Sequence, residues 1–494
     1  MSYLELLELA APETLVVIAA FVVLAADLFG MRELEPQFRR IIGVMISCVG
    51  CIAAIGWMIA LPQRADIMGG ILVIDPVTQV VKIALLALTI LTLLISLDSD
   101  FTEHTGEYFA LVLLAASGMM FLVSSADILM IFISLELTSI SLYVLAAFNK
   151  NDGQSAEASL KYFLFGGMSA AFTLFGLSLL YGLSGSTSLS QISAAIHGTR
   201  LDPLLILALV MTLVGFGFKV AAAPFHLWAP DVYQGAPAPS AAFIASGSKV
   251  AGFIVLARVL ATGFAGAEGS AGLLNHLPGW IPLLAIVAGL SMVVGNFAAI
   301  VQTSVRRLLA YSAIAHAGYM LLGVMAHGAA GLASLIYYVV TYGLTTLGAF
   351  GVVAIVQQQT GGDRLSDFAG LSRRSPGMAL CMMVFILSLA GIPPLAGFFG
   401  KFYIFSEVLK GNVPGMGIIW LVALAIGLSA VSLYYYLQVL KQIFVAQSQT
   451  GTSLRTPVVQ EVVLISVALA VITLGCMPEW LIQRLTGAMA VAGL

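Results

Sequence analysis

Long apolar segments recur along the chain, and only short polar stretches separate them. A helix needs about 20 mostly apolar residues to cross the hydrocarbon core of a bilayer. Because 60% of the residues are hydrophobic and only 9% are charged, the sequence predicts an all-α polytopic membrane protein with about fourteen transmembrane helices. The predicted spans are 12–30, 41–61, 77–97, 107–123, 127–147, 158–183, 204–224, 241–262, 280–300, 308–326, 331–357, 375–393, 414–440 and 459–477.

Proline interrupts two of these spans. The seventh continues as a shorter piece after Pro224, and the twelfth continues after Pro394. Proline lacks a backbone N–H and ends or kinks a helix. Irregular backbone at membrane depth is tolerated only where it is buried in protein or lines a wet cavity. We therefore predict that helices 7 and 12 are broken and that functional groups lie beside the breaks.

A similar order of features appears twice in the chain. Glu136 precedes Lys219 by 83 residues, His316 precedes Lys401 by 85, and both lysines belong to interrupted spans. This spacing predicts two five-helix repeats, which an odd number of helices places in opposite orientations, as in many ion transporters. The predicted organisation is a three-helix N-terminal segment (1–106), a first repeat (107–262), a second, inverted repeat (280–440) and a C-terminal helix (459–494).

The basic residues of the loops predict the orientation in the membrane, because cytoplasmic loops carry an excess of lysine and arginine. One side of the predicted topology collects eleven of them, and the other collects four: Arg64, Arg200, Lys410 and Arg484. Both termini are therefore expected on the outer side. The acidic start of the chain, MSYLELLELAAPE, is not expected to be a cleavable signal peptide, because it has no basic region.

Lysine is enriched among the ionisable residues at membrane depth. Five of the eight lysines fall in or at the ends of predicted spans: Lys82, Lys161, Lys219, Lys249 and Lys401. A buried lysine can lose and regain its proton, whereas arginine stays charged. Ionisable residues inside a membrane are costly and are functional by default. A row of lysines therefore predicts a proton relay.

Glu136 lies in the apolar segment IFISLELTSISLYVL, and Lys219 is its predicted partner. A carboxylate in such a place is neutral or paired with a cation, and separation of the pair would let the lysine release its proton. A static ion pair between spans 5 and 7 is the alternative. Lys249 lies among small residues that leave room for water, and Lys401 follows the second break. For Lys249 the alternative is a lysine that snorkels to the interface.

Three further residues are candidates for the relay. Lys161 begins span 6, His226 follows the first break, and His316 lies in the middle of span 10. Histidine titrates near neutral pH and suits proton transfer. The alternatives are a snorkelling lysine at position 161 and neutral, hydrogen-bonded core histidines at the other two positions.

Other polar residues receive weaker interpretations. Glu407 is a partner of Lys401 or an interfacial residue, and Asp127 and Asp231 are interpreted as helix-end residues. Lys82 is not assigned a role. Hydroxyl groups that can extend a water chain are those of Tyr311, Ser312, Tyr319 and Tyr434–Tyr436.

No cofactor is expected in this chain. Cys48 and Cys51 have the CxxC spacing, but they lie in an apolar segment without a second pair of ligands, so they are interpreted as packing residues. We find neither a glycine-rich phosphate loop nor a cysteine cluster for an iron–sulfur centre in the sequence. Any redox chemistry is therefore expected in another protein.

Three motifs carry a family resemblance. They are KVAAAPFHLWAPDVYQGAPAP at 219–239, RRLLAYSAIAHAGYMLLG at 306–323 and LAGIPPLAGFFGKF at 389–402. These motifs resemble the antiporter-like membrane subunits of bacterial proton-pumping NADH–quinone oxidoreductase (respiratory complex I), which are related to the Mrp-type cation/proton antiporters. Two features favour the N-subunit group of this family. Position 401 is a lysine, whereas the M-type subunits have a glutamate there. The tail after span 14 is short, whereas the L-type subunits carry a long lateral helix.

The resemblance implies roles for individual residues. Glu136 and Lys219 match the glutamate–lysine pair of the family, Lys249 matches its central lysine, and Lys401 matches its exit-side lysine. Lys161 and His226 fall on positions that the family implicates in the proton path. A role for His316 rests on this sequence alone.

The resemblance also implies a setting. The chain would be a proton-translocating subunit in the bacterial inner membrane, with both termini periplasmic. Its partners would be a second antiporter-like subunit, small membrane subunits and lipids, but no nucleic acid. NADH, FMN, iron–sulfur clusters and quinone would belong to partner subunits. The alternatives are an Mrp-type sodium/proton antiporter subunit and a structural scaffold of the membrane arm.

Overall fold

A computed structural model describes residues 3–61, 65–67, 70–197, 202–273, 275–410, 417–447 and 454–492. Within these ranges the chain forms twenty α-helices and two small, two-stranded antiparallel sheets. Two of the four basic residues predicted on the outer side, Arg64 and Arg200, lie outside the described residues.

The N-terminal part contains seven helices and the first small sheet. Its elements are α1 (Tyr3–Leu9), α2 (Ala11–Ala25, continued by a π-helical turn over Ala26–Gly30), α3 (Pro36–Ala60), β1 (Ala65–Ile67), β2 (Leu72–Ile74), α4 (Pro76–Ile95), α5 (Thr105–Ser124), α6 (Ile128–Ala146) and α7 (Gly153–Ser184). Asp127 accepts the free backbone N–H groups of Leu129 and Met130 at the start of α6. Its interpretation as a helix-end residue is therefore confirmed.

The middle part contains the first interrupted helix. Its elements are α8 (Leu189–Ile196), α9 (Pro203–Lys219), α10 (Trp228–Gly235), α11 (Ala238–Arg258, continued by a π-helical turn over Val259–Gly263), a 3₁₀ turn (Ala265–Ala267), β3 (Ser270–Ala271), β4 (His276–Leu277), α12 (Trp280–Ile300) and α13 (Val305–Val324). The predicted break is present, because α9 ends at Lys219 and α10 begins only at Trp228.

The C-terminal part contains the second interrupted helix. Its elements are α14 (Gly328–Thr360), a 3₁₀ turn (Leu365–Phe368), α15 (Leu371–Arg374), α16 (Pro376–Ala390), α17 (Ala396–Lys410), α18 (Ile419–Phe444), α19 (Val458–Cys476) and α20 (Pro478–Ala492). The single C-terminal helix predicted over 459–494 is wrong. Two helices occupy this region, because Pro478 has no N–H to continue α19 and suits the first position of a new helix.

The described chain has the helices that a membrane protein needs. Eleven of them are long and apolar enough to cross a bilayer, and the two shorter apolar helices are α9 and α16, the first halves of the interrupted helices. The all-α polytopic class is therefore confirmed. Helices occupy all fourteen predicted ranges. That each of these crosses the membrane, and that they form two inverted repeats, stays a prediction.

Helix α11 lies at the centre of the molecule. Every residue from Pro239 to Ala257 is buried, and the helix packs against α14, α4 and α5. A helix that is apolar all round is buried in protein or lipid. Here protein surrounds it, so Lys249 lies in the interior and not at a lipid-facing surface.

Lys82 forms a buried ion pair near the start of α4. Its ammonium nitrogen lies 2.6 Å from a carboxylate oxygen of Glu13 on α2, and both side chains are almost fully buried. A buried charge is retained only where a partner compensates for lost hydration. This contact therefore fastens α2 to α4.

Replacing Lys82 with methionine is expected to lower the free energy of unfolding by about 3–5 kcal/mol, because it leaves the Glu13 carboxylate buried and unpaired. The double variant Lys82→Met/Glu13→Gln is expected to recover most of this stability, since no charge is then stranded. Thermal unfolding of the purified protein in detergent measures both. Equal unfolding temperatures of the single and double variants would contradict the pairing.

Candidate functional site

Four of the predicted residues form a buried row across the molecule. Lys219 ends α9, Lys249 lies in α11, His316 in α13 and Lys401 in α17. Each of these side chains is 5% exposed or less. Snorkelling is therefore wrong for Lys249, because its side chain ends inside the protein.

Lys219 stands at the first break. Two residues later, Ala221 has a left-handed φ of 56°, a conformation that costs a non-glycine residue free energy and persists only where the surroundings impose it. The Lys219 ammonium donates to the Ser139 hydroxyl at 3.0 Å. Glu136, half-buried one turn earlier on α6, is close enough to act on Lys219 electrostatically.

Lys219 is the predicted partner of Glu136, and the two side chains interact without a direct ion pair. Among the described residues, no ion pair within 4 Å joins the two side chains, and the Lys219 ammonium donates to the Ser139 hydroxyl instead. Ser139 faces α9 and is buried, whereas Glu136 is turned partly towards the outside of the helix bundle. The two charges are neighbours without being in contact.

Lys249 is held by backbone and by an aromatic ring. Its ammonium donates to the carbonyl of Ala313 on α13 at 2.6 Å and lies 5.7 Å from the centre of the Tyr342 ring on α14. Both are suitable neighbours for a cation. Neither is a carboxylate, so a proton on Lys249 is not locked in place by a counter-charge.

His316 has a partner on each ring nitrogen. Nδ1 lies 2.7 Å from the Tyr338 hydroxyl, and Nε2 lies 3.2 Å from the Tyr436 hydroxyl. The Tyr436 hydroxyl also pairs with Ser312 at 2.5 Å. The imidazole packs against Tyr342, whose ring also contacts Lys249, and against Tyr319, whose ring also contacts Lys401.

Lys401 reaches back across the second break. Its ammonium donates to the carbonyl oxygens of Leu389 and Ala390 at 3.1 and 3.2 Å, and to the Ser429 hydroxyl at 2.9 Å. The two carbonyls are free because α16 ends at Ala390. Lys401 also lines a cavity of about 310 Å³ between α17 and α18. Glu407 is not its partner, because that carboxylate pairs with Lys410 at 2.7 Å.

Lys161 lies outside the buried row. Its side chain is 38% exposed, and its ammonium contacts Glu157 at 2.7 Å and Asp231 at 2.6 Å. Asp231 also accepts from the Arg307 guanidinium at 2.7 Å. The interpretation of Asp231 as a simple helix-end residue is therefore incomplete, since its carboxylate joins two cations.

His226 lies beside the first break and is buried. Its Nδ1 has no hydrogen-bond partner among the described side chains and backbone. No hydrogen bond in the described chain joins it to another predicted residue of the site. The structure thus brings four predicted residues into one row, with Glu136 beside them and Lys161 and His226 apart.

The side chains of the row and of its hydrogen-bond partners are of kinds that exchange protons. Lysine and histidine exchange protons, and the serine and tyrosine hydroxyls that contact Lys219, His316 and Lys401 both donate and accept hydrogen bonds. Within the described chain, no group of three or more His, Cys, Asp or Glu side chains is arranged to hold a metal ion. Proton exchange is a reaction that lysine, histidine, serine and tyrosine side chains support.

Fold and site together define a class: multi-pass membrane proteins in which two interrupted helices place lysines in a polar interior, as in ion transporters. Residues 125–429 match a family model described as "NADH:quinone oxidoreductase/Mrp antiporter, TM". The chain belongs to this family, and the family prediction is confirmed.

Relatives and structural neighbours agree with this assignment. The chain is 51% identical to NADH-quinone oxidoreductase subunit N 2 of Acidobacterium capsulatum, covering 98% of this chain and 99% of the relative. It is 34% identical to a chain of respiratory complex I from Thermus thermophilus with bound aureothin, with a TM-score of 0.78 and coverage of 96% and 99%. A chain of the Mrp complex from Dietzia shares the fold with a TM-score of 0.80 at 18% identity, over 98% and 97%.

Proposed function

We propose that this chain is a proton-translocating membrane subunit of an NADH:quinone oxidoreductase, a translocase subunit without a redox centre of its own. The observation that carries the proposal is the buried row from Lys219 to Lys401. NADH, FMN, iron–sulfur clusters and quinone would lie in partner subunits. Those partners would include another antiporter-like subunit and small membrane subunits in a bacterial inner membrane, with both termini periplasmic and lipids around the bundle.

Each member of the row has a distinct task in this proposal. Lys219 keeps its proton while the negative charge of Glu136 acts on it, and it releases the proton when that interaction weakens. Lys249 receives the proton at the centre of the bundle. His316 passes it between its two tyrosine partners, and Lys401 holds it beside the second break. Lys161 and His226 would serve the side of the first break that water can reach.

Energy from the redox partners would act on the row electrostatically. Lys249 and Lys401 are surrounded by carbonyl oxygens, hydroxyls and aromatic rings. Such neighbours stabilise a cation without fixing its proton, so a change in a nearby charge shifts the proton balance along the row. A change at one end can therefore alter protonation at the next position.

Replacing Lys219 with alanine tests the proposal. Proton pumping and NADH–quinone turnover are expected to fall together at least fivefold in a fully assembled complex, because loss of one acid–base group interrupts the relay. Pumping by inverted membrane vesicles and turnover are measured in the same preparation, with assembly checked on native gels.

Other outcomes favour the alternatives. Normal pumping and turnover in the assembled Lys219→Ala complex would favour a structural scaffold. Sodium-dependent transport in the absence of NADH would favour an Mrp-type antiporter subunit, for which Glu136 is the candidate carboxylate near the row.

A further inference from the structure

The second half of the first interrupted helix, α10, is held by charged contacts at Asp231. One carboxylate oxygen accepts from the Lys161 ammonium of α7, and the other accepts from the Arg307 guanidinium of α13. Hydrogen bonds in which both partners are charged are the strong ones. Asp231 therefore ties three helices together at one point.

Arg306, the neighbour of Arg307, holds the other end of α10. Its buried guanidinium donates to the carbonyl of Tyr233 at 2.7 Å and to that of Ala236, and it bonds the Gln357 side chain at 3.1 Å. The last carbonyls of a helix lack intrahelical partners and attract cations. Two adjacent arginines of α13 thus bind α10 before and after the start of its last turn, Arg307 at Asp231 and Arg306 at the carbonyls of Tyr233 and Ala236.

The first residue of α10 reaches the break itself. Trp228 lies one turn before Asp231, and its indole N–H donates to the Phe218 carbonyl at 3.1 Å. Its ring stacks on Tyr162 with centroids 4.4 Å apart. Phe218 directly precedes Lys219, so the position of α10 sets the position of the Lys219 backbone.

Helix α13 also carries His316, two to three turns beyond the arginines. The same helix therefore carries His316 and both arginines that contact α10, and α10 in turn contacts the end of α9. The contacts form a continuous path from the second predicted repeat to the first.

We propose that Asp231 is a positioning residue of the proton relay: through Lys161 and Arg307 it fixes α10, and through Trp228 it fixes Lys219 relative to α13. The inference rests on the proposed function, since it concerns the same relay. Asp231 itself does not carry the proton. It keeps the Lys219 side chain where the relay needs it.

The variants Asp231→Asn and Asp231→Glu test this role. Asparagine keeps the size of the side chain but removes the charge that binds two cations, so pumping and coupled turnover are expected to fall about tenfold in an assembled complex. Glutamate keeps the charge and is expected to restore at least half of the wild-type rate. Trp228→Phe, which keeps an aromatic side chain but removes the indole N–H, is also expected to lower pumping.

Glu157→Gln is the matched control. It removes the other carboxylate partner of Lys161, but the Glu157 side chain is 64% exposed, and exposed ion pairs contribute little. Pumping is expected to stay within twofold of wild type. Equal losses in Glu157→Gln and Asp231→Asn would overturn the inference, because they would show that loss of either carboxylate partner of Lys161 has the same effect, whether or not that partner belongs to α10.

The other results of the Asp231 variants also decide the question. Normal pumping in assembled Asp231→Asn membranes overturns the positioning role, as does failure of this variant to assemble while Asp231→Glu assembles without pumping. The Lys219→Ala variant is measured in parallel. If it pumps normally, the proposed function fails; if it does not pump while Asp231→Asn does, only the present inference fails.

Discussion

Replacing Lys249 with alanine or with arginine is expected to reduce proton pumping about 100-fold or more, within the range for loss of a positioned acid–base group. Alanine removes the ammonium that bonds the Ala313 carbonyl. Arginine keeps the positive charge but cannot release a proton. Lys249 has no neighbouring carboxylate among its contacts that could take over the transfer. NADH-driven pumping in vesicles with an assembled complex measures the loss.

Ser248→Ala is the control for this prediction. Ser248 is the neighbour of Lys249 on α11, equally buried, and its hydroxyl bonds only the Ile244 carbonyl of its own helix. We expect pumping close to wild type. Normal pumping by Lys249→Arg would contradict the relay and would show that Lys249 supplies a fixed charge.

Gly397→Ala is expected to abolish pumping and to destabilise the protein strongly. Gly397 lies in the first turn of α17, and an added methyl group would overlap the Ser388 carbonyl oxygen of α16. A backbone atom cannot rotate away as a side chain can, so α17 has to move off α16. Overpacking of this kind costs about 1–3 kcal/mol or more, and the shift would also withdraw Lys401 from the carbonyls of Leu389 and Ala390.

Gly427→Ala is expected to change the stability of the protein in the opposite direction. Gly427 lies inside α18, and no atom of the described residues outside its own helix backbone lies within 4 Å of the position that its added methyl group would occupy. Alanine is the better helix former by about 1 kcal/mol, so this variant is expected to be slightly more stable and fully active. Thermal unfolding and pumping of both variants check the prediction. A Gly397→Ala protein that unfolds at the wild-type temperature would show that the two helices do not pack this closely.

Helix positions and the identity of the buried lysines were predictable from the sequence. Length and apolarity locate the spans, and proline marks the breaks after α9 and α16. A lysine in the middle of an apolar segment, such as Lys249, favours a polar interior, and its burial in the structure excludes the snorkelling alternative. These features depend on residues near one another in the chain.

The partners of the buried groups were not predictable to the same degree. Glu136 and Ser139 lie one turn apart, and the choice between them depends on how α6 is rotated about its axis. The contacts of Asp231 come from residues 70 positions earlier and 76 positions later. Tyr338, the partner of His316, is one of several tyrosines in α14, and its selection depends on packing. An acid directly after Pro230, beside a broken helix, was the available signal for Asp231.

The donor and acceptor roles in the chain of hydrogen bonds through His316 can be exchanged, and this affects the direction in which protons can move. Tyr338, His316, Tyr436 and Ser312 can each donate or accept, so all the bonds can reverse their sense without any heavy atom moving. Such a chain of hydrogen bonds does not by itself favour proton transfer in one direction over the other. The sign of the net current is then set by what lies at its ends, including a transmembrane potential worth about 2.3 kcal/mol per charge for each 100 mV. In the proposed relay, a sufficiently large opposing potential would drive protons through this segment in reverse, and the complex would then consume a proton gradient instead of building one.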